Sequence, residues 1–122
     1  DNLLFTDENK RAILLDWQTA AVGLPLNDVA YFISTSFANP KDRKKEEERL
    51  VKEYHKLLDV NDTYSFDEAW SDYRRASFVG FIMAVLSAMI VERTDRGDEM
   101  FAVMAERSAW QALHLDALSF IT

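Results

Sequence analysis

The sequence predicts an α+β domain, mainly α: a short N-terminal β-hairpin followed by about four helices. Three observations predict it. Two short apolar runs, residues 3–6 and 12–17, flank the polar stretch Asp7-Glu8-Asn9-Lys10, the pattern of two strands joined by a four- to five-residue loop. From Asn27 onward the apolar residues recur at helical spacing. Hydrophobic residues make up 48% of the 122, while three Gly and two Pro are the only backbone breakers. Such a chain has material for a core and little for long loops.

Taken in order, Arg11-Ala12-Ile13-Leu14-Leu15 is nearly continuous in apolar residues, so the second strand is expected to be covered on both faces. Residues 18–26 contain Gly23 and Pro25 and read as a loop. Asn27 is the expected N-cap of the first helix, with Asp28 in its first turn and Val29, Phe32, Ile33 and Phe37 along one face. Asn39 is expected to cap the second helix, with Pro40 at its first position. The charge run 41–49 is expected to stand in solvent, as a solvated face or a mobile cap, because Lys and Arg early in a helix oppose its dipole. Leu50, Val51, Tyr54, Leu57 and Leu58 supply the packing stripe further on.

Ser65 and Glu68 have the spacing of a capping box. One long helix is expected to follow through Val91, amphipathic over Phe66, Trp70 and Tyr73, then apolar all round. The apolar run 76–91 has 16 residues, short of the ~20 that span a bilayer, and Arg74-Arg75 and Glu92-Arg93 clamp its ends. No membrane span is therefore expected, and the run is read as a helix buried on all sides. Asp95-Arg96-Gly97-Asp98 should break the chain before a last helix from about Asp98 to Leu118.

Composition narrows the function. With 14 Lys and Arg against 21 Asp and Glu, the net charge is −7, which argues against nucleic acid or an anionic membrane as main partner. There are no cysteines, which removes disulfides, thiolate metal sites and cysteine nucleophiles. No secretory leader pattern is visible, and a cytoplasmic protein is expected. Because the chain opens directly on the apolar run Leu3-Leu4-Phe5, it is read as the C-terminal part of a longer protein.

The chemistry is concentrated near the start. Asn2 opens the first strand and Asp16 closes the second, so a hairpin brings an amide oxygen and a carboxylate to the same end. Both are hard oxygen donors of the kind that Mg²⁺ takes. By spacing alone, ordinary turn formers at strand ends would account for the pair more readily.

The wider pattern adds to this. Asp1-Asn2-Leu3-Leu4-Phe5, Ile13-Leu14-Leu15-Asp16-Trp17-Gln18 and Gly23-Leu24-Pro25-Leu26-Asn27-Asp28-Val29-Ala30-Tyr31-Phe32 together resemble the aminoglycoside phosphotransferase and choline-kinase-like superfamily. The similarity is greatest to its ecdysteroid-kinase-like branch, in which Gln follows the aromatic residue after the metal Asp. The resemblance implies the C-terminal lobe of a protein-kinase-like fold, divided into a metal-site hairpin (1–18) and a helical subdomain (19–122). It implies that Asn2 and Asp16 hold Mg²⁺, with Asp28 bracing the catalytic loop in a structural role. It also implies an ATP-dependent transfer of the γ-phosphate to a hydroxyl of a small-molecule substrate. The family's catalytic Asp precedes the Asn by five residues, which falls before residue 1. No catalytic base is therefore expected within residues 1–122, which should be inactive alone, bind Mg²⁺ weakly, and rely on an N-terminal lobe for ATP. The alternative is a non-catalytic helical binding or interaction domain.

Other candidates are weaker. His55 is expected to be solvated and His114 to be a satisfied core histidine. No Gly-x-Ser-x-Gly elbow is present. Arg96-Gly97-Asp98 reads as a turn, and Asn61-Asp62-Thr63 matches a glycosylation sequon. Trp70 and Tyr73 are candidates for walling a substrate groove, as is Trp110. Asp67, Glu68 and Asp72 lie beside the first two and would suit a cation, but Arg74 and Arg75 offset them. A hydroxylated, partly apolar acceptor is the expectation.

Overall fold

A computed structural model describes residues 2–6, 11–60 and 63–121. Strands β1 (Leu3–Thr6) and β2 (Arg11–Leu14) pair antiparallel, with Leu3 opposite Leu14 and Thr6 opposite Arg11. The expected turn at Asp7-Glu8-Asn9-Lys10 lies outside the described residues, as do Asp1 and Asn61-Asp62 of the sequon. A 3₁₀ turn, Trp17–Thr19, leads toward the helices. These are α1 (Pro25–Ser36), α2 (Pro40–Leu58), α3 (Phe66–Ala76), α4 (Phe78–Ile90) and α5 (Asp95–His114), with a closing 3₁₀ turn at Ala117–Phe120. The fold is the expected hairpin followed by helices. The hairpin faces are open: Leu4, Phe5, Ile13, Leu14 and Leu15 are all exposed, so β2 is not covered on both sides as its sequence suggests.

α1 is the central helix and packs against the other four. Leu26, Ala30 and Ile33 are sealed and meet Val51, Tyr73, Ala76 and Leu115 in one core. The helix begins at Pro25, not after Asn27: proline's fixed φ suits the first helical position, and the Asn27 N–H already turns back to the Leu24 carbonyl at 3.1 Å. The other caps form as expected. Asn39 Oδ1 accepts from the Lys41 N–H at 2.9 Å with Pro40 following. Ser65 and Glu68 complete a reciprocal capping box.

Two expectations for α2 fail because other parts of the chain pack over it. Within the charge run, Arg43 and Glu47 are buried, being on the side of α2 that faces α3 and α5. The Arg43 guanidinium donates to the Arg107 carbonyl at 3.1 Å. Glu47 Oε1 accepts from Tyr73 Oη at 2.8 Å and from Gln111 Nε2 at 2.9 Å, and Arg43 Nε lies 3.5 Å from it. His55 is buried too: residue 64 folds back, and His55 Nε2 sits 2.7 Å from the Tyr64 carbonyl.

The expected long helix is broken at Ser77, where the hydroxyl donates to the Arg74 carbonyl at 2.7 Å and the Ser77 N–H bonds the same oxygen at 3.3 Å. After the break, α4 is not buried all round. Only Gly80 and Ala84 are sealed, packed toward α5 and α1, while Phe81, Ile82, Met83, Val85, Leu86, Met89 and Ile90 are exposed. By length and apolarity alone, Phe66–Ile90 is sufficient to cross a bilayer, with Ser77 interrupting it. α5 starts three residues earlier than its sequence suggests, because Thr94 Oγ1 caps it by accepting from the Gly97 N–H at 3.0 Å. Arg96-Gly97-Asp98 is thus the first turn of a helix rather than a break.

Gly80 marks the closest approach of α4 to its neighbours. A Cβ there would collide with Ser108 Oγ and stand 3.0 Å from Ser34 Oγ, and these two hydroxyls are themselves bonded at 3.2 Å. Gly80→Ala is expected to lower the unfolding free energy by about 1 kcal/mol or more, despite the ~1 kcal/mol that alanine gains in a helix. Adding Ser108→Gly should restore part of the loss. Urea unfolding checks this, and an unchanged midpoint for the single variant would show that the helices separate freely.

All four tyrosines are held in the neutral form. Burial pushes up the phenol of Tyr73 most strongly, followed by the charge and hydrogen bond of Glu47. Burial, then the bond to Asp72 at 2.8 Å, raises Tyr64. Burial also raises Tyr31 and Tyr54, the latter with help from the Asp28 charge. The folded chain therefore keeps its phenolic protons where the unfolded chain, with an ordinary value of 10.0, releases them. This stabilisation is complete below about pH 10 and is lost as pH rises further. Urea midpoints at pH 8 and pH 10.5 should show a clear fall at the higher value; equal midpoints would contradict the burial of these rings.

Candidate functional site

The hairpin ends build the site. The Leu15 N–H donates to the Asn2 carbonyl at 2.8 Å, which extends the ladder by one residue and fixes Asn2 beside the chain leaving β2. Asn2 Nδ2 lies 3.4 Å from Asp16 Oδ2. The two residues singled out in the sequence are therefore neighbours in space.

Asp16 adopts a left-handed backbone, with φ 62° and ψ 60°. This conformation disfavours side chains, although Asp tolerates it better than most. Two bonds hold the turn: Trp17 Nε1 donates to the Leu14 carbonyl at 2.9 Å, and the Ala20 N–H bonds the Trp17 carbonyl at 3.0 Å. The indole strap spans Asp16 from one side to the other, although Trp17 itself is largely exposed. Asp59 and Asp116 take the same left-handed backbone at helix ends, so the conformation places Asp16 in a turn and the strap and the Asn2 contact distinguish it.

The pair carries oxygen atoms of the kind a hard cation takes. With Mg–O distances of ~2.0–2.1 Å, two adjacent ligands of an octahedral ion sit about 2.9 Å apart. Turning the Asn2 amide over would present Oδ1 to Asp16 in place of nitrogen, at a separation near the observed 3.4 Å, wider than that spacing. No group of three or more His, Cys, Asp or Glu side chains suited to a metal occurs among the described residues. Asn2 and Asp16 would thus supply two ligands, leaving positions for phosphate oxygens or water.

The remaining candidates separate. Asp28 is exposed in the first turn of α1, and its charge reaches Tyr54 on α2. Trp70 is half-buried, stacked between Phe66 and Tyr73 with ring centroids at 6.1 and 5.4 Å. Tyr73 has no exposed surface, so it is a core group and cannot wall a groove. Of the acidic cluster beside them, Asp72 is bonded by Tyr64 and lies 3.4 Å from Arg75. Glu68 accepts from the Ser65 N–H and hydroxyl, which holds its carboxyl below the usual range. Arg75 offsets part of the acidic charge at Asp72, while Glu68 stays ionised and Asp67 is exposed. Trp110 is exposed on α5. His114, expected in the core, has a side chain 28% exposed, with Nδ1 3.4 Å from Glu47 Oε2.

Set beside known families, the hairpin and the two helices after it match a kinase-like class of protein. The model described as "Ecdysteroid kinase-like family" matches residues 1–63, just over half of the chain. The protein belongs to the ecdysteroid kinase-like family. The matched stretch carries both hairpin strands, α1 and α2, and α3–α5 lie beyond it. No curated protein and no solved structure matches the chain.

If the Asp16 carboxylate is kept for chemistry, the fold should not need it. Asp16→Gly is expected to hold or raise the unfolding free energy, by up to about 1 kcal/mol, because glycine enters the left-handed region without steric cost. Chemical denaturation measures this. A loss above about 1 kcal/mol would make the carboxylate a structural group.

Proposed function

We propose that these residues form part of an ATP-dependent phosphotransferase that moves the γ-phosphoryl group to a hydroxyl of a small molecule. The family membership supports a kinase-like enzyme. The observation that carries the finer reading is the contact between Asn2 and Asp16 beside a strapped, left-handed turn. In this reading the acceptor oxygen bonds to the γ-phosphorus as the bridging β–γ oxygen departs with ADP. A base preceding Asn2 receives the hydroxyl proton. Asn2 and Asp16 hold Mg²⁺, which when bound offsets charge on the phosphate oxygens. Asp28, at the start of the central helix, would brace the loop that carries the base. An N-terminal lobe holding ATP would cover the open apolar faces of the hairpin.

The acceptor side favours an uncharged or partly apolar hydroxyl compound. Arg75, 3.4 Å from Asp72, offsets part of the acidic charge beside Trp70. In the competing reading, a non-catalytic helical binding domain, Asp16 would be an ordinary turn residue.

Full-length protein bearing Asp16→Asn decides between them. Asparagine keeps the shape and tolerates the left-handed turn but removes the charge. Phosphoryl transfer to a hydroxylated acceptor is expected to fall by ~10²-fold or more, with circular dichroism unchanged. Turnover equal to that of the parent enzyme would reject the metal-binding assignment.

A further inference from the structure

The outward side of α4 is an open apolar surface. Phe81, Ile82, Val85, Leu86, Met89 and Ile90 are exposed there, the last two at 78% and 81%. At 3.6 residues per turn these six cover about half of the helix circumference. A contiguous apolar patch on a folded domain marks contact with a protein or a membrane. The opposite side of α4 is already used, with Gly80 and Ala84 sealed toward α5 and α1. The patch lies outside the hairpin that carries Asn2 and Asp16, so what covers it is independent of the catalytic reading.

Three features choose the occupant. The first is width. A helix packed on one neighbour buries a stripe of roughly 100°, which would leave the flanks of α4 in water, whereas a lipid surface takes the whole outward half. The second is net charge. Two copies at −7 each repel one another. An anionic bilayer repels the chain as well, and a bilayer of zwitterionic lipid does not. The third is the rim. Residues 76–91 carry no charge, and charges of both signs stand at each end. Arg75 lies 3.4 Å from Asp72 at one end and Arg93 2.6 Å from Asp98 at the other, where Glu92 and Asp95 are also exposed. Such solvent-facing pairs are weak and can exchange partners. Guanidinium groups then meet lipid phosphates and carboxylates meet choline groups, which is the charge pattern of a zwitterionic headgroup. The fold excludes spanning: Ala69, Tyr73 and Ala76, in the first half of the long apolar segment Phe66–Ile90, are sealed in the protein core, so α4 can only lie on the surface.

We propose that α4 seats the protein on a membrane surface of zwitterionic, phosphatidylcholine-type lipid, with its outward half among the acyl chains and its end arginines at the phosphates. Flotation with phosphatidylcholine vesicles tests this. Half of the protein is expected to bind at or below ~0.1 mM lipid, the strength of a single acyl anchor. Met89→Gln combined with Ile90→Gln, at two solvent-exposed positions, should fold normally and bind at least tenfold more weakly, while Leu57→Gln, at an equally exposed apolar site on α2, should bind as the parent does. The sequence holds no cysteine, so a polarity-sensitive dye on Met89→Cys reports that position alone. Its emission should shift to the blue on vesicles, and the same dye on Leu57→Cys should not. Phosphatidylserine vesicles should bind more weakly. The proposal is overturned if the protein does not float, if the double variant floats as well as the parent, or if the serine lipid is preferred. Self-association that the double variant loses, without flotation, would assign the face to a second copy and overturn it equally.

Discussion

The carboxylate of Glu47 is the constraint around which the helices are arranged. Removing a charged group from water costs several kcal/mol unless partners replace the lost solvent. Here the partners come from every side: Tyr73 from α3, Gln111 from α5, and Arg43 one turn back on α2. Gln111 extends the cluster to Tyr73 Oη at 2.8 Å and to the Ala30 carbonyl of α1 at 3.4 Å. Four helices are keyed through one group. The apolar core beneath is non-directional and would tolerate some sliding, whereas these bonds are directional and set the register of α2 on α3 and α5. Deleting one member leaves the others stranded in a dry interior, which is more harmful than replacing the whole set with apolar groups.

Much of this architecture was legible in the sequence where the signal is local. The caps at Asn39-Pro40 and Ser65/Glu68 lie within a turn of the residues they serve, and both form. The Asn2–Asp16 contact follows from strand pairing alone. Information held by distant residues was not legible. Arg43 and Glu47 look identical to their solvated neighbours until α5, some 64 residues later, crosses them. The same holds for the sealing of Tyr73 against Glu47 and Gln111, whereas His55 is covered by Tyr64 only nine residues on. The start of α1 pitted two valid signals against each other, and proline's fixed φ won over the asparagine cap two residues on. The break at Ser77 was hidden because its hydroxyl bonds its own backbone, in a stretch whose apolar pattern continues unbroken.

At the hairpin the balance runs the other way. The scaffold around Asp16 is stiffened by the indole strap and the ladder bond to Asn2, while the carboxylate itself remains in solvent. Backbone order and side-chain freedom are thus separated. The turn fixes where the charge originates, and the oxygen atoms stay available to another partner.

The exposed side of α4 governs how the molecule behaves in bulk solution. Sixteen residues between Arg75 and Glu92 carry no charge, and Met89 and Ile90 are about four-fifths exposed. What keeps two such surfaces apart is the net charge of −7 acting over a Debye length that shrinks from about 30 Å at 0.01 M salt to about 10 Å at 0.1 M. Attraction between apolar faces strengthens on warming from low temperature. Added electrolyte and mild heating therefore push the chain in one direction, toward clustering, while cold and dilute buffer keep it dispersed.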